Sequence, residues 1–154
     1  MAAPVKPAAP LPRAFFDSNI LIYAEDAYDP LKQKIAADLV EAHARQRAGV
    51  VSVPVLGEYF SVVVRKLHLD SAIARKQVEF YSLFPLVEPS VADVLAAIDL
   101  HRLHGFSYYD SLHLRCAQRT ACSILYTEDL HHGQVVDGVR IVNPFKEAPN
   151  AISG

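Results

Sequence analysis

Four carboxylates spread along this 154-residue chain, Asp17, Glu58, Asp110 and Asp129, are the side chains best placed to do chemistry together. Asp17 ends one short apolar run and Asp129 lies just past another. Glu58 falls about one helical turn after a third apolar run, and Asp110 falls in the first turn of a helix opened by Ser107. In open parallel α/β sheets, ligands bind beyond the carboxyl ends of the strands. The four acids therefore fall near one edge of such a sheet. Without a cation they would repel one another, and at least one would tend to stay protonated. Hard oxygen donors of this kind suit Mg²⁺ or Mn²⁺. Such a centre orients a water, lowers its pKa and stabilises charge on a phosphate in flight.

Taken singly, each acid also has a plainer explanation. Asp110 completes a Ser107-x-x-Asp110 capping pattern, and Asp17 could cap the turn into Ile20. The Glu128-Asp129 pair could be a solvated loop. Glu58 sits among apolar neighbours on a helix expected to be buried, where an unpartnered carboxylate would be costly. The joint placement carries the argument.

The elements that must position these acids follow from punctuation and periodicity. Ala14-Phe15-Phe16 reads as a first strand, Val50 to Val53 as a second and Phe84 to Val87 as a third. Ser123 to Tyr126 reads as a fourth and Val139 to Val142 as a fifth. Between them, Pro30 opens a helix with Leu31, Ile35, Leu39 and Val40 as its apolar stripe. Pro54 opens another, with Val55, Leu56, Tyr59, Phe60, Val63, Val64 and Leu67 on its buried face. Asp70 or Ser71 caps a helix through Leu83, with Ile73, Val78 and Phe80 expected inward. Ser90 with Asp93 forms a capping box for a helix that ends before Gly105, and the helix from Ser107 runs to about Thr120. Alternating strands and helices predict an α/β fold: a three-layer α/β/α sandwich around a mainly parallel sheet of about five short strands. Strands without polar alternation fit a sheet covered on both faces.

The length favours one domain, expected at 13–146, with 1–12 a disordered Ala/Pro-rich leader and 147–154 a flexible tail. The formal net charge of −2 gives no basic signature of a nucleic-acid binder. Four metal-neutralised acids would nevertheless leave the remainder positive, so local patches matter more than the total. Cys116 and Cys122 form no disulfide framework and read as reduced thiols of a cytoplasmic protein. No apolar run reaches membrane-spanning length.

On these residues the chain resembles the PIN-domain ribonucleases. Asp17-Ser18-Asn19-Ile20-Leu21 after an apolar strand is similar to their opening motif, and Val53-Pro54-Val55-Leu56-Gly57-Glu58 to their second. Tyr109-Asp110-Ser111-Leu112 resembles the third, and Leu125-Tyr126-Thr127-Glu128-Asp129 the fourth. The resemblance runs from about Arg13 to Phe145. With Thr127-Glu128-Asp129-Leu130 running into His131-His132-Gly133, it looks most like the VapC toxins of toxin–antitoxin pairs. It implies a Mg²⁺- or Mn²⁺-dependent endoribonuclease, a homodimer, an RNA substrate and a cognate VapB-type antitoxin that masks the site. It also implies that Asp17, Glu58, Asp110 and Asp129 form the metal-binding acidic quartet, with Asn19 and Thr127 as supporting polar residues.

Other constellations are weaker. His101 and His104 lie three apart on a helix, but no third zinc ligand is evident. Arg115 and Arg119, four apart beyond Asp110, could present a phosphate-binding face or simply a solvated one. Tyr108-Tyr109 could stack a base or pack, and His113 could touch RNA or pack. A haloacid-type phosphatase would want an Asp two residues beyond Asp17, where Asn19 stands. A catalytically weak PIN-like fold kept for RNA or partner binding is the remaining alternative.

Overall fold

The computed structural model describes Pro4, Lys6 and residues 9–146. Helices alternate with short strands as the sequence predicts. In chain order they are β1 (Ala14–Phe16), α1 (Ser18–Tyr23), α2 (Pro30–Arg45), β2 (Gly49–Ser52), α3 (Val53–Arg65) and α4 (Ser71–Tyr81). Then follow β3 (Leu86–Val87), α5 (Val91–His104), α6 (Tyr108–Arg119), β4 (Ile124–Tyr126), β5 (Val135–Val136) and β6 (Val139–Val142). The expected 147–154 tail and most of the expected 1–12 leader lie outside the described residues. Within that leader segment, the Ala9 carbonyl and the Leu11 amide both hydrogen-bond to the Gln46 side chain.

The strands form one sheet in the order β3-β2-β1-β4-β6-β5. All neighbours are parallel except β5 and β6, which form an antiparallel hairpin. β5 is an additional strand that brings the sheet to six, one more than the five expected. Its Val135-Val136 is too short to show a period, and only pairing with β6 defines it. The chain runs from β1 outward through β2 to β3, then returns across α5 and α6 to place β4 on the other side of β1. Right-handed crossovers in opposite directions put the two sets of helices on opposite faces, giving the three-layer α/β/α sandwich. β1 is fully buried, with Ala14, Phe15 and Phe16 inaccessible to solvent. Phe16 stacks on Tyr126 of β4 and meets His43 of α2 edge-on. Gly49 keeps β2 close to this group, because a Cβ there would lie 2.9 Å from the Phe16 ring.

The caps expected at Asp70, Ser90 and Ser107 form, while the strand expected over Val50 to Val53 ends at Ser52, which caps α3. Asp29, Ser52, Asp70, Ser90 and Ser107 each accept a backbone amide at a helix start. Gly105 takes the left-handed conformation at the end of α5. Facing is less well foreseen. Ile73 and Phe80 of α4, expected inward, are about half exposed, whereas Ala74 and Tyr81 are buried. Both pairs are seven residues apart, so periodicity alone cannot choose between stripes one residue out of phase. Leu31 of α2 is likewise exposed, and Phe60 of α3 lies at the surface.

Candidate metal centre

The first and fourth acids meet because β1 and β4 are neighbours in register. Phe16 pairs with Tyr126, and the Asp17 amide donates to the Tyr126 carbonyl across 3.0 Å. Both chains therefore leave the sheet together at the place where strand order reverses, where ligands bind in open α/β sheets. Asp110 arrives from the first turn of α6, which packs against β1 and β4. One carboxylate oxygen each from Asp17, Asp110 and Asp129 lies within 4.8 Å of the others. Asp17 is buried, Asp110 half-buried and Asp129 exposed, so the cluster has a closed floor and an open rim.

Asp17 is held from every side. Oδ1 receives Ser18 Oγ at 3.3 Å and pairs with His113 Nε2 at 3.2 Å. Oδ2 accepts Thr127 Oγ1 at 2.8 Å and Asn19 Nδ2 at 3.4 Å. Burial would raise its pKa, but His113 and then Thr127 and the Ser18 amide outweigh that and hold it below the ordinary range. Asn19 also donates to Asp129 Oδ2 at 3.1 Å, bridging the first and fourth acids. Thr127 Oγ1 in turn accepts the Asp129 amide at 3.1 Å. Asn19 and Thr127, expected as supporting residues, thus touch both ends of the cluster.

Asp129 carries the opposite shift. Desolvation, followed by the charges of Asp17, Asp110 and Glu128, raises its pKa, with the Asn19 bond opposing. Asp110 meanwhile accepts Ser107 Oγ at 2.8 Å, so it serves its helix cap and belongs to the cluster as well. A centre with one depressed and one elevated carboxylate, built wholly from oxygen donors, fits a small hard divalent cation. The Asn19 Oδ1 atom is buried without a partner, a further oxygen beside the acids.

Glu58 differs from expectation. It is exposed on α3 beside exposed Gly57, because the buried face of that helix runs through Val55, Leu56, Tyr59 and Val63. No desolvation cost calls for a partner there. Glu58 lies outside the three-acid group, although its charge reaches His113 and contributes to raising that imidazole's pKa. Arg115 and Arg119 turn to Asp93, the buried capping-box acid of α5, with Arg115 Nε at 2.9 Å and Arg119 Nη1 also bonded. Arg119 reaches the Glu88 carbonyl as well. His101 bonds to the Phe106 carbonyl.

The residue that sequence reasoning left undecided is His113. It is buried, packs on Phe15 and holds Asp17 through Nε2. Its place one turn after Asp110 was the signal available in the sequence; that this part of α6 meets β1 is seen only in the fold. Burial disfavours its charge, but the Asp17 bond and the charges of Asp17, Asp110 and Glu58 raise its pKa overall.

Comparison with known proteins agrees with this architecture. A toxin–antitoxin complex from Klebsiella pneumoniae contains a chain similar to this one, with a TM-score of 0.63 at 21% identity, over 85% of this chain and 97% of that one. Mycobacterium tuberculosis VapC20, described as a toxin cleaving the sarcin-ricin loop, has a TM-score of 0.63 at 16% identity. That match covers 75% of this chain and 89% of VapC20. At these identities the likeness concerns the fold. A search of curated proteins by sequence gives no match. The PIN domain model matches residues 14–137, which span all three clustered acids, and the chain belongs to the PIN-domain family.

Proposed function

We propose that this protein is a Mg²⁺- or Mn²⁺-dependent endoribonuclease acting as the toxin of a toxin–antitoxin pair. The convergence of Asp17, Asp110 and Asp129 at the strand-order reversal carries the reading, because three such oxygens within 4.8 Å are poised for one small cation. Family membership and the two toxin-like folds support it. When bound, the metal supplies Lewis acidity to a phosphate oxygen and makes a water more acidic.

The chain's own residues do the rest. Asp17, kept ionised by His113 and Thr127, is the fixed ligand at the floor. Asp110 and Asp129 close the ligand set from α6 and from the loop after β4. Asn19 holds Asp17 and Asp129 in a common orientation. Glu58, exposed on α3 and near enough for its charge to act on His113, would join the centre from its outer side, as a ligand or through a water. The open rim admits a polymer backbone. Tyr109, largely exposed beside Asp110, offers a stacking face to an unpaired base. Arg115 and Arg119 can contact phosphate only through the guanidinium donors that Asp93 and the Glu88 carbonyl leave over.

The proposal includes a VapB-type antitoxin whose peptide crosses the acidic cleft and presents an Arg to the carboxylates. It also includes a homodimer. Val91, Leu95 and Ile98 form an exposed apolar stripe on α5 of the kind an interface covers. No described helix is long and apolar enough to cross a membrane, and the buried free thiols of Cys116 and Cys122 are consistent with action in the cytoplasm.

The test is cleavage of total cellular RNA by purified protein with Mn²⁺, Mg²⁺ or EDTA, beside Asp17→Asn and Asp129→Asn. Discrete metal-dependent fragments, absent in both folded variants, are expected. Full cleavage by Asp17→Asn, or cleavage undiminished in EDTA, would overturn the assignment.

A further inference from the structure

Glu128 adjoins Asp129 in sequence but faces a different set of partners. Its Oε1 accepts the Tyr23 hydroxyl at 2.9 Å, and its Oε2 pairs with Lys32 Nζ at 3.2 Å. Tyr23 is the last residue of α1, the helix that begins immediately after Asp17 and carries Asn19. Lys32 lies in the first turn of α2, where its own amide is capped by Asp29. The Lys32 ammonium also stands 4.6 Å from the Tyr23 ring centre and 5.0 Å from that of Phe145. Phe145 meets Tyr23 edge-on, and its amide is tied to Asn143 just beyond β6. One carboxylate therefore joins the loop after β4 to α1, to α2 and to the chain leaving β6.

That loop needs restraint. Asp129 is the exposed member of the acid cluster, so little packing around its side chain fixes its orientation and the loop that carries it must do so. On its inner side, Thr127 bonds to Asp17. On its outer side, Glu128 makes the Tyr23 and Lys32 contacts, about a quarter to a third exposed and so only partly screened. Asp129 follows directly after these two anchors.

We propose that Glu128, Lys32 and Tyr23 form a positioning clamp that presets the Asp129 carboxylate for the metal. It works through the loop backbone and makes no contact with the cation. The inference rests on the metal-centre reading above, and the two can be separated.

Charge and position predict opposite signs for one substitution. Lys32→Met removes a cation beside an acidic centre, so a point-charge effect alone would tighten divalent metal binding. Loss of the clamp would weaken it. The experiment is calorimetric titration of the full chain with Mn²⁺, with the thermal transition of each metal-free variant recorded to show that it is folded. The expected result is that Lys32→Met weakens Mn²⁺ binding about tenfold, the lower end of what loss of an outer-shell partner does to metal affinity. Tyr23→Phe, which changes no charge, should weaken it severalfold, and Lys32→Arg should restore near-normal affinity. Unchanged or tighter binding by folded Lys32→Met would overturn the clamp alone. Absence of Mn²⁺ binding by the unaltered protein, or normal binding by Asp129→Asn, would overturn the metal-centre reading and the clamp with it.

Discussion

His113 Nε2 lies 3.2 Å from Asp17 Oδ1, joining α6 to the residue that follows β1 at the floor of the acid cluster. Both side chains are almost inaccessible to solvent. Removing one partner of a buried pair strands the other charge. His113→Leu is therefore expected to destabilise the metal-free protein by about 3 kcal/mol. Urea unfolding in EDTA measures this, and a change within error of zero would mean that the pair contributes nothing. His113→Gln, which keeps a donor near Asp17, should lose less.

Asp129 presents the reverse case. Its folded pKa is raised by desolvation and by its acidic neighbours. Relative to the unfolded chain, the folded form therefore loses stability as pH rises from the ordinary carboxylate range through that elevated value. Above that elevated value the penalty is fully present unless a cation offsets it. Asp129→Asn should raise the melting temperature in EDTA by a few degrees and should reduce the further rise on adding Mn²⁺. A variant less stable than the parent in EDTA would show that the Asn19 bond outweighs the repulsion.

Asp93 sets the acid limit away from the centre. Burial would raise its pKa, but the Ser90 amide and hydroxyl and the two guanidiniums bring it down to about 2. Because the folded value is depressed, its contribution is complete above about 4 and is lost as pH falls from there toward 2. Asp93→Asn should cost about 2 kcal/mol at neutral pH, and its deficit against the parent should shrink across that window. Denaturant midpoints at several pH values test both statements. A constant deficit would assign the loss to packing.

Gly49 is constrained by space. A methyl group there would meet Phe16 at 2.9 Å and His43 at 3.4 Å, both inside the core. Gly49→Ala should destabilise by about 2 kcal/mol, the usual cost of overpacking. The resulting shift of Phe16, which immediately precedes Asp17, should also weaken Mn²⁺ binding. Thermal unfolding and metal titration check the two effects separately.

Much of this protein is legible in local patterns. Caps at Asp70, Ser90 and Ser107, the helix-opening Pro30 and Pro54, the Gly105 stop and the apolar runs locate the helices and five of the six strands, because such signals depend on nearest neighbours along the chain. The acids at 17, 110 and 129 stand out for the same reason, each beside a strand end or in a helix's first turn. Helix facing is less legible. The stripes at 73 and 80 and at 74 and 81 have the same spacing on α4, and only the neighbouring elements select the second.

Ser90-x-x-Asp93 and Ser107-x-x-Asp110 show where sequence stops. As patterns they are the same, and both cap a helix. In the fold, Asp93 is sealed under Arg115 and Arg119, whereas Asp110 keeps an oxygen facing Asp17 and Asp129. Glu58 and Glu128 make the same point, one placed in solvent and the other turned to Lys32 and Tyr23. Sequence by itself determined which residues can carry charge and which elements hold them. The crossing of β4 to the far side of β1 decided which charges meet, because electrostatic energy depends on distance in space and on burial, neither of which local spacing encodes.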